Sequence, residues 1–362
     1  MKLGVIMKRF YTNRDLIEDR YGRMFHLPRT LVERGWDVRV FCPDFRKREA
    51  FVREIDGVAF QSIPARFAGA WTSEAPWTRF KPEIWLSSGQ LIAADQVERI
   101  ARRQGAPWVI DFYDYYPAFY PRLVRSLADR WSHRLIRRAS GVVVASKALA
   151  EWAARSSGNV ARLPNGIDRS VFYARERLEA RKSFRLDPAM IWVGYFGSLN
   201  PEHGLLDVLG AIELLRSQGQ AVGLVCAGSS NRVDMIESSG ARWLGMLPQT
   251  KLAEVICACD CALAPYPESD QINYSNSCRL TEYMACSVPV VATRVGDHAQ
   301  LLPESHPGWA QPGNPESIAS AIERQIKDPV VTPLPSALEW SNLGTSLDQF
   351  LAKIVADHID GR

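Results

Sequence analysis

The feature that most constrains the fold is an alternation of short apolar runs with longer helical patterns, which occurs twice along the chain. In the first half the apolar runs are residues 3–7, 37–43, 83–88, 107–114 and 141–146. Residues 21–34 have apolar residues at helical spacing and end before Gly35. Continuous apolar runs are typical of strands buried on both faces, and strands that alternate with helices predict a parallel, doubly wound sheet.

The alternation stops near residue 163 and starts again at Ile191. Pro164, Asn165 and Gly166 predict a turn in this break, and the Arg- and Glu-rich residues 175–187 predict an exposed connector. The apolar runs of the second half are residues 191–199, 221–228, 241–247, 259–266 and 288–293. They predict a second parallel sheet, with a cleft between the two sheets.

We therefore expect an α/β protein with two Rossmann-like, doubly wound domains, at residues 1–172 and 188–338. The stretch from Trp340 to Val355 has apolar residues at helical spacing, which predicts a helix at 339–362 that packs back across the domains. The length of 362 residues agrees with two domains.

The composition excludes several classes of protein. The 46% share of apolar residues, with 23% charged residues, is typical of a soluble globular chain. No apolar run approaches the roughly 20 residues of a membrane span, and the apolar run at the start is too short for the core of a signal peptide. The seven scattered cysteines predict no disulfide framework and indicate a reducing compartment, so we expect a cytoplasmic protein.

Positive charge is concentrated in the first half. Residues 1–175 hold 30 Lys and Arg against 18 Asp and Glu, and the remainder holds 14 against 22. The densest stretch, Arg122–Arg138, has six arginines, one acid (Asp129) and apolar residues at helical spacing. Two interpretations stay open: a helix that rests on the anionic inner face of a membrane, or a solvated face over an ordinary core stripe. No nucleic-acid-binding motif accompanies this charge, so we expect no nucleic-acid partner.

Predicted loops of the second domain have the chemistry to hold a nucleoside diphosphate. In open α/β sheets, ligands bind beyond the carboxyl ends of the strands, where helix N-termini present free N–H groups. Gly197 lets the backbone approach a phosphate closely after one such strand, and Ser198 adds a hydroxyl donor. His203 follows near the start of the next helix. A second loop offers apolar side chains and backbone to a base; it consists of Gly245, Met246 and Leu247.

The loop at 267–277 leads into a predicted helix that carries two charged residues. Its last three residues are good N-caps: Ser275, Asn276 and Ser277. Arg279 and Glu282 then lie three apart, on one helical face. A cation for the phosphates beside a carboxylate that accepts the ribose hydroxyls would suit a nucleotide sugar. A Rossmann dehydrogenase is disfavoured because MKRFYTN, rather than G-x-G-x-x-G, follows the first strand.

Four segments of the chain match the pattern of one known family. LPNGIDRSVF resembles a "PNGVD…F" linker, and LTEYMACSVPVVATRVG resembles an "EaMA.G.PVVat..gG" segment. YFGSL…HGLLDVLGAI resembles a "G.L…KG…li.A" segment, and YGRMFHLPRTLVERGWDVRVF resembles the opening of the first domain. In this order and spacing, over nearly the whole chain, the segments resemble glycosyltransferase family 4, the group 1 glycosyltransferases.

The resemblance implies a GT-B fold with the donor in the C-terminal domain and the acceptor in the N-terminal one. It implies a metal-independent transfer that retains anomeric configuration, with no cofactor beyond the nucleotide sugar. It further implies that Glu282 contacts the ribose and that the Gly197–Ser198 turn approaches the pyrophosphate. The donor-binding residues that we predict are Gly197, Ser198, His203, Gly245, Met246, Leu247, Tyr274, Ser275, Asn276, Ser277, Arg279 and Glu282.

Three positions depart from the family pattern. Tyr274 stands where the first Glu of the E-x7-E pair is usual, eight positions before Glu282. His203 replaces the Lys of the "KG" pair, and Ser198 stands where a basic residue often occurs. Because a neutral histidine does not supply the missing charge, we predict that Arg279 neutralises the phosphates.

The strand-end segment DFYDYYP occupies the place where the family often has a "HD" or "RD" pair. Asp114 is therefore our catalytic candidate in the first domain, beside Arg279 and Glu282 in the second. It would bind an acceptor or donor-sugar hydroxyl, and the alternative that it caps a turn before Pro117 stays open. Asp111, inside the same strand end, is the weaker candidate.

We expect a hexosyltransferase-type enzyme that acts on a saccharide or lipid-linked acceptor in cell-surface polysaccharide synthesis. Two alternatives remain: a non-catalytic, transferase-like scaffold subunit, and a sugar-nucleotide epimerase of similar fold. Cys257, Cys259 and Cys261 alternate too closely for paired zinc ligands, so we expect buried thiols and no metal.

Overall fold

The computed structural model describes residues 1–11, 14–65 and 76–361, and the chain divides into two compact units. Unit 1 consists of Met1–Asn165, Tyr274–Asn276 and Trp340–Arg362. Unit 2 consists of Gly166–Asn273 and Ser277–Glu339. The division after Asn165 lies inside the predicted break, seven residues before the boundary that we placed at 172.

Short buried strands build the sheet of unit 1. The strands of this unit are β1 (Lys2–Ile6), β2 (Phe10–Tyr11), β3 (Arg14–Asp15), β4 (Asp37–Asp44), β5 (Phe51–Ile55), β6 (Val58–Pro64), β7 (Ile84–Ser88), β8 (Trp108–Phe112), β9 (Gly141–Val144) and β10 (Val160–Arg162). The main sheet has the order β10-β9-β8-β7-β1-β4-β6-β5 and is parallel except for the β5–β6 hairpin. Each of the five predicted apolar runs overlaps one of these strands, as expected from continuous burial.

Helices connect the parallel strands of unit 1, as βαβ crossovers require. They are α1 (Arg23–Val32), α2 (Leu91–Gln104), α3 (Arg122–Arg138) and α4 (Lys147–Ala154). The helix predicted at 21–34 is α1, and it follows Gly22 in a left-handed conformation that favours glycine.

Unit 2 repeats this architecture with a smaller sheet. Its strands are β11 (Ile191–Ser198), β12 (Val222–Ser229), β13 (Arg242–Trp243), β14 (Cys261–Ala264), β15 (Val290–Thr293) and β16 (Trp309–Ala310). Its helices are α5 (Arg177–Ser183), α6 (Leu205–Ser217), α7 (Val233–Ser238), α8 (Gln249–Cys257), α9 (Asp270–Asn273), α10 (Cys278–Ala285) and α11 (Pro315–Lys327). The sheet order is β13-β12-β11-β14-β15-β16, with every described pair parallel.

The connector predicted at 175–187 is partly helical. It contains α5, which buries Arg181 against Asp260 through an ion pair. This charged stretch therefore contains one buried arginine with a structural role. Composition alone does not distinguish it from the exposed arginines of the same stretch.

The last helix, α12 (Trp340–Asp360), is part of unit 1. It packs on α1, where a side chain on Gly344 would overlap Thr30, so the two helices approach closely. Its buried apolar residues join the core of unit 1: Trp340, Leu343, Leu347, Leu351, Ile354 and Val355. Among the helices of the described residues, none is long and apolar enough to cross a membrane.

Both sheets reverse their direction of growth near the middle. In unit 1 the chain builds outward from β1 to one side and then returns to place β7 on the other. In unit 2 it builds from β11 and returns to place β14. Ligands of doubly wound sheets bind beyond the carboxyl ends of the strands at such a switch point, so the ends of β11 and β14 are where the unit 2 site is expected.

Candidate active site

The turn at the end of β11 is shaped for close backbone contact. Gly197 has a φ of +103°, and a side chain there would come within 2.9 Å of Nε of Arg279. Gly228, at the end of the neighbouring β12, has a φ of +140°, and a side chain there would overlap the Gly197 carbonyl oxygen. Only glycine fits both positions without strain, so these two strand ends stay open to a ligand.

The Arg279 side chain reaches from α10 to this turn. Its Nη2 donates a hydrogen bond to the carbonyl oxygen of Ser198. Its Cζ lies 4.9 Å from the ring centroid of Tyr195 and 4.8 Å from that of Tyr266. Such distances allow cation–π attraction. The structure thus brings together Gly197, Ser198 and Arg279, as the predicted pocket requires.

The charge of Arg279 has no carboxylate partner within the described part of the chain. The residue is only 5% exposed, and its Nη1 is buried without a hydrogen-bond partner among the described residues. Burying an unpaired charge costs several kcal/mol, in order of magnitude. The arrangement is therefore chemically suited to receive an anion, such as a phosphate, at the open ends of β11 and β12.

His203 lies beside this cation and is neutral at physiological pH. Burial, aided by the charge of Arg279, lowers the pKa of His203 to about 4. Its ring centroid lies 5.9 Å from that of Tyr266, and its Nδ1 is buried without a partner among the described residues. The histidine can offer a hydrogen bond but no charge, whereas Arg279 offers a cation at this turn.

A buried tyrosine fixes α10 to both strands of the switch point. Tyr283 donates a hydrogen bond from its hydroxyl to the carbonyl oxygen of Leu263 in β14, at 3.2 Å. The same hydroxyl accepts one from the backbone N–H of Phe196 in β11, at 3.4 Å. This anchor holds Arg279 beside the Gly197 turn and leaves Glu282 half-buried on the same helix. Contact between Glu282 and a ribose stays a prediction.

The two tyrosines that flank Arg279, Tyr195 and Tyr266, were not among the predicted site residues. Tyr266 lies two residues after the end of β14, at the carboxyl end where ligands are expected, and this position was a usable signal. Tyr195 lies inside β11, and nothing in its local pattern distinguishes it from an ordinary core aromatic. The hydroxyl of Tyr266 accepts a hydrogen bond from Ser277, the N-cap residue of α10, at 3.1 Å.

The predicted base-binding loop follows β13. Gly245 accepts a backbone hydrogen bond from the N–H of Gly228 at 2.8 Å, which ties this loop to the strand end beside the Gly197 turn. The Met246 side chain is 48% exposed, while Leu247 packs against the core of unit 2. The loop therefore offers one open apolar side chain, and its contact with a base stays a prediction.

Tyr274 and Asn276 make their contacts inside unit 1. The Tyr274 ring stacks on that of Tyr115, with centroids 4.5 Å apart and planes 19° apart. The Asn276 side chain accepts a hydrogen bond from the backbone N–H of Asn165, and the Asn165 side chain donates to the Asn276 carbonyl, both at 2.8 Å. These contacts indicate an anchoring role for a segment that we assigned, with Ser275, to the donor site.

A second polar cluster lies at the carboxyl end of β8 in unit 1. Asp111 is fully buried, with its Oδ1 2.9 Å from Nη2 of Arg23 and its Oδ2 accepting a hydrogen bond from Ser88 at 2.7 Å. Arg23 also donates to the carbonyl oxygen of Leu163 at 3.0 Å. Asp111 is therefore held by Arg23 and Ser88 inside unit 1.

Asp114 differs from Asp111 in having no hydrogen bond or ion pair within the described residues. It is half-buried, and the turn-capping contact that we considered for it is not formed. Burial raises the pKa of Asp114 to about 7, with Asp111 acting in the same direction and the charges of Arg23 and Lys8 opposing it. An unpartnered carboxylate that changes charge near neutral pH is suited to bind or deprotonate a hydroxyl.

Two family models match the chain over these same regions. "Glycosyl transferase 4-like domain" matches residues 23–166, and "Glycosyl transferases group 1" matches residues 191–328, together more than three quarters of the chain. This chain belongs to the group 1 glycosyltransferases. The predicted membership of this family is confirmed, and the activity of the chain is glycosyl transfer.

One relative and two solved structures are similar to this glycosyltransferase over most of its length. A Bacillus subtilis (strain 168) protein named "Putative teichuronic acid biosynthesis glycosyltransferase TuaC" is 26% identical over 304 residues, which cover 82% of this chain and 75% of that protein. The sucrose-phosphate synthase of Thermosynechococcus elongatus has a TM-score of 0.77 at 16% identity, covering 98% of this chain and 99% of that one. Anabaena Alr3699/HepE, solved with UDP and glucose, has a TM-score of 0.68 at 17% identity, covering 100% and 99%. The GT-B fold is thereby confirmed.

The alternating cysteines of this glycosyltransferase are buried, as predicted. Cys257, Cys259 and Cys261 are each less than 5% exposed. Within the described ranges, no group of three or more His, Cys, Asp or Glu side chains is placed to hold a metal ion.

Proposed function

We propose that this glycosyltransferase uses a nucleoside diphosphate sugar as donor and binds its diphosphate between Arg279 and the Gly197 turn. The observation that carries the proposal is the buried guanidinium of Arg279, which has no carboxylate partner among the described residues. A diphosphate would supply the anion that this cation lacks, and the unpartnered Nδ1 of His203 would add a hydrogen bond. Anabaena Alr3699/HepE, a structural neighbour, was solved with UDP-glucose.

The proposed reaction breaks the bond between the sugar C1 and the diphosphate oxygen and forms a bond from C1 to an acceptor oxygen. The acceptor hydroxyl loses its proton to the leaving phosphate. Arg279 then stabilises the negative charge that develops on the diphosphate, in a site that water does not screen. Because a side chain supplies this charge, we propose a transfer that needs no metal, and family membership supports retention of the anomeric configuration.

We propose a lipid-linked saccharide of cell-surface polysaccharide synthesis as the acceptor, and a hexose as the transferred sugar. The relationship to a protein named for teichuronic acid biosynthesis supports this acceptor class. Unit 1 would bind the acceptor, with the Asp114 carboxylate accepting a hydrogen bond from one of its hydroxyls. The reaction would then take place on the cytoplasmic side of an anionic membrane.

Calorimetric titration with UDP, GDP, dTDP and ADP tests the donor site directly. We expect one of the four to bind at micromolar to low millimolar Kd, with the affinity unchanged by a chelator, because Arg279 and backbone N–H groups supply the contacts. The matched sugar nucleotide should then release its nucleotide in the presence of an acceptor.

The other outcomes separate the remaining functions. Absence of binding by all four nucleotides would refute the donor site. Binding without turnover on any acceptor would favour the scaffold subunit, and conversion of the sugar nucleotide without an acceptor would favour an epimerase.

A further inference from the structure

The surface of unit 1 exposes four large apolar side chains within one short segment: Phe119, Leu123, Val124 and Leu127. Leu123 is 94% exposed, Leu127 58% and Phe119 57%. Leu123 and Leu127 lie one turn apart on α3, and Phe119 precedes that helix by a few residues. Single exposed apolar residues are ordinary, whereas a cluster of large ones indicates a binding surface.

The two halves of α3 differ in what their side chains contact. In the C-terminal half, Leu135 and Ile136 are buried in the core. Arg134 and Arg138 are used in ion pairs with α2: Arg134 lies 2.8 Å from Asp95, and Arg138 lies 2.6 Å from Glu98. The core-stripe interpretation of Arg122–Arg138 therefore holds for this half only.

The N-terminal half carries cations that are not used inside the protein. Arg122 and Arg130 are exposed, and neither has a carboxylate within ion-pair distance in the described part of the chain. Arg130 lies three residues after Leu127, so it neighbours the exposed leucines on the helix surface.

The one acid of the helix, Asp129, contacts neighbours inside unit 1. One of its oxygens accepts hydrogen bonds from Tyr115 at 2.9 Å and from Trp152 at 3.0 Å. The exposed end of α3 therefore combines large apolar side chains with two arginines that form no ion pair among the described residues.

We propose that this surface, made of Phe119, Leu123, Leu127, Arg122 and Arg130, docks on an anionic lipid bilayer. The apolar side chains would enter the boundary between headgroups and acyl chains, while the arginines bind lipid phosphates. Charge complementarity favours a bilayer over an apolar protein groove, because both arginines would otherwise be buried without a partner. The inference deepens the proposed function, on which the lipid-linked nature of the acceptor rests.

Flotation with vesicles tests this proposal in the full-length protein. The vesicles contain phosphatidylcholine alone or an equimolar mixture with phosphatidylglycerol. We expect binding to the anionic vesicles only, and a loss of about tenfold or more for R122Q/R130Q and for L123Q/L127Q. The matched controls are R102Q/R103Q, which removes two exposed arginines of α2, and L178Q, which removes an exposed leucine of unit 2; both should bind like the wild type.

Several results would overturn the proposal. These are equal binding to both vesicle types, wild-type binding by R122Q/R130Q or L123Q/L127Q, and a lack of vesicle binding with self-association that L123Q/L127Q abolishes. The last result would assign the surface to a second copy of the chain. Nucleotide calorimetry on the same samples keeps the tests apart, because failure of nucleotide binding with intact vesicle binding refutes only the donor site.

Discussion

Replacing Arg279 by methionine is expected to reduce kcat/KM for the donor by about 10²- to 10³-fold. Methionine keeps much of the apolar stem that packs between Tyr195 and Tyr266 but removes the cation. The diphosphate would then leave without the charge stabilisation of Arg279, and His203 is neutral and cannot replace it. Steady-state kinetics with the sugar nucleotide identified by calorimetry provides the measurement.

Two companion variants make this prediction specific. Arg279→Lys keeps the charge but loses the planar fork, so we expect it to retain part of the activity. Glu282→Gln should raise KM more than it lowers kcat, since a ribose contact is the same in the ground state and the transition state. Wild-type kinetics in Arg279→Met, with the fold retained by circular dichroism, would show that the diphosphate binds elsewhere.

Replacing Asp114 by asparagine is expected to stabilise the protein above pH 7 while lowering its activity at least tenfold. The folded-state pKa of Asp114 is about 7, above the ordinary value of 3.8. Between these two pH values the folded state holds a proton that the unfolded state has lost, so stability falls as pH rises. The loss is complete above pH 7 and is on the order of 4 kcal/mol. Asparagine removes it, and below pH 4 the two proteins should be equally stable.

Chemical denaturation of both proteins at pH 4, 6 and 8 measures this difference, and a pH–rate profile measures the functional role. The wild-type rate should rise across pH 7 as the carboxylate ionises, and the rise should be missing in Asp114→Asn. A wild-type protein as stable as the variant at pH 8 would contradict the burial of this charge. A rise that persists in the variant would assign the titration to another group.

The strands that lie inside the sheets were predictable because burial on both faces leaves a continuous apolar run. The β5–β6 hairpin was not, since β5 exposes Val52, Arg53 and Glu54 at the edge of the sheet and carries no such signal. Edge strands are often short and polar, which limits pairing with other chains. The same composition leaves no apolar run by which to recognise them.

The candidate site was predictable in its parts but not in its geometry. The sequence and the family pattern selected Arg279 as the replacement cation, and the structure places its guanidinium against Ser198. That contact depends on how α10 is anchored through Tyr283 to β11 and β14, which no local pattern encodes. The same limitation explains Tyr274 and Asn276. Tyr274 was assigned to the donor site because it stands eight positions before Glu282, and Asn276 because it is a good N-cap residue. Their contacts with Tyr115 and Asn165, which are distant in sequence, could not be read from the local pattern.

The assignment of α12 to unit 1 has a consequence for dissecting the protein. The apolar residues of this helix complete a core whose other residues come from the start of the chain. A shortened protein that stops at residue 165 would therefore expose to solvent the face of α1 that packs on α12. The N-terminal half can therefore be studied alone only if the final 23 residues are supplied as well, joined to it by a linker or added as a peptide.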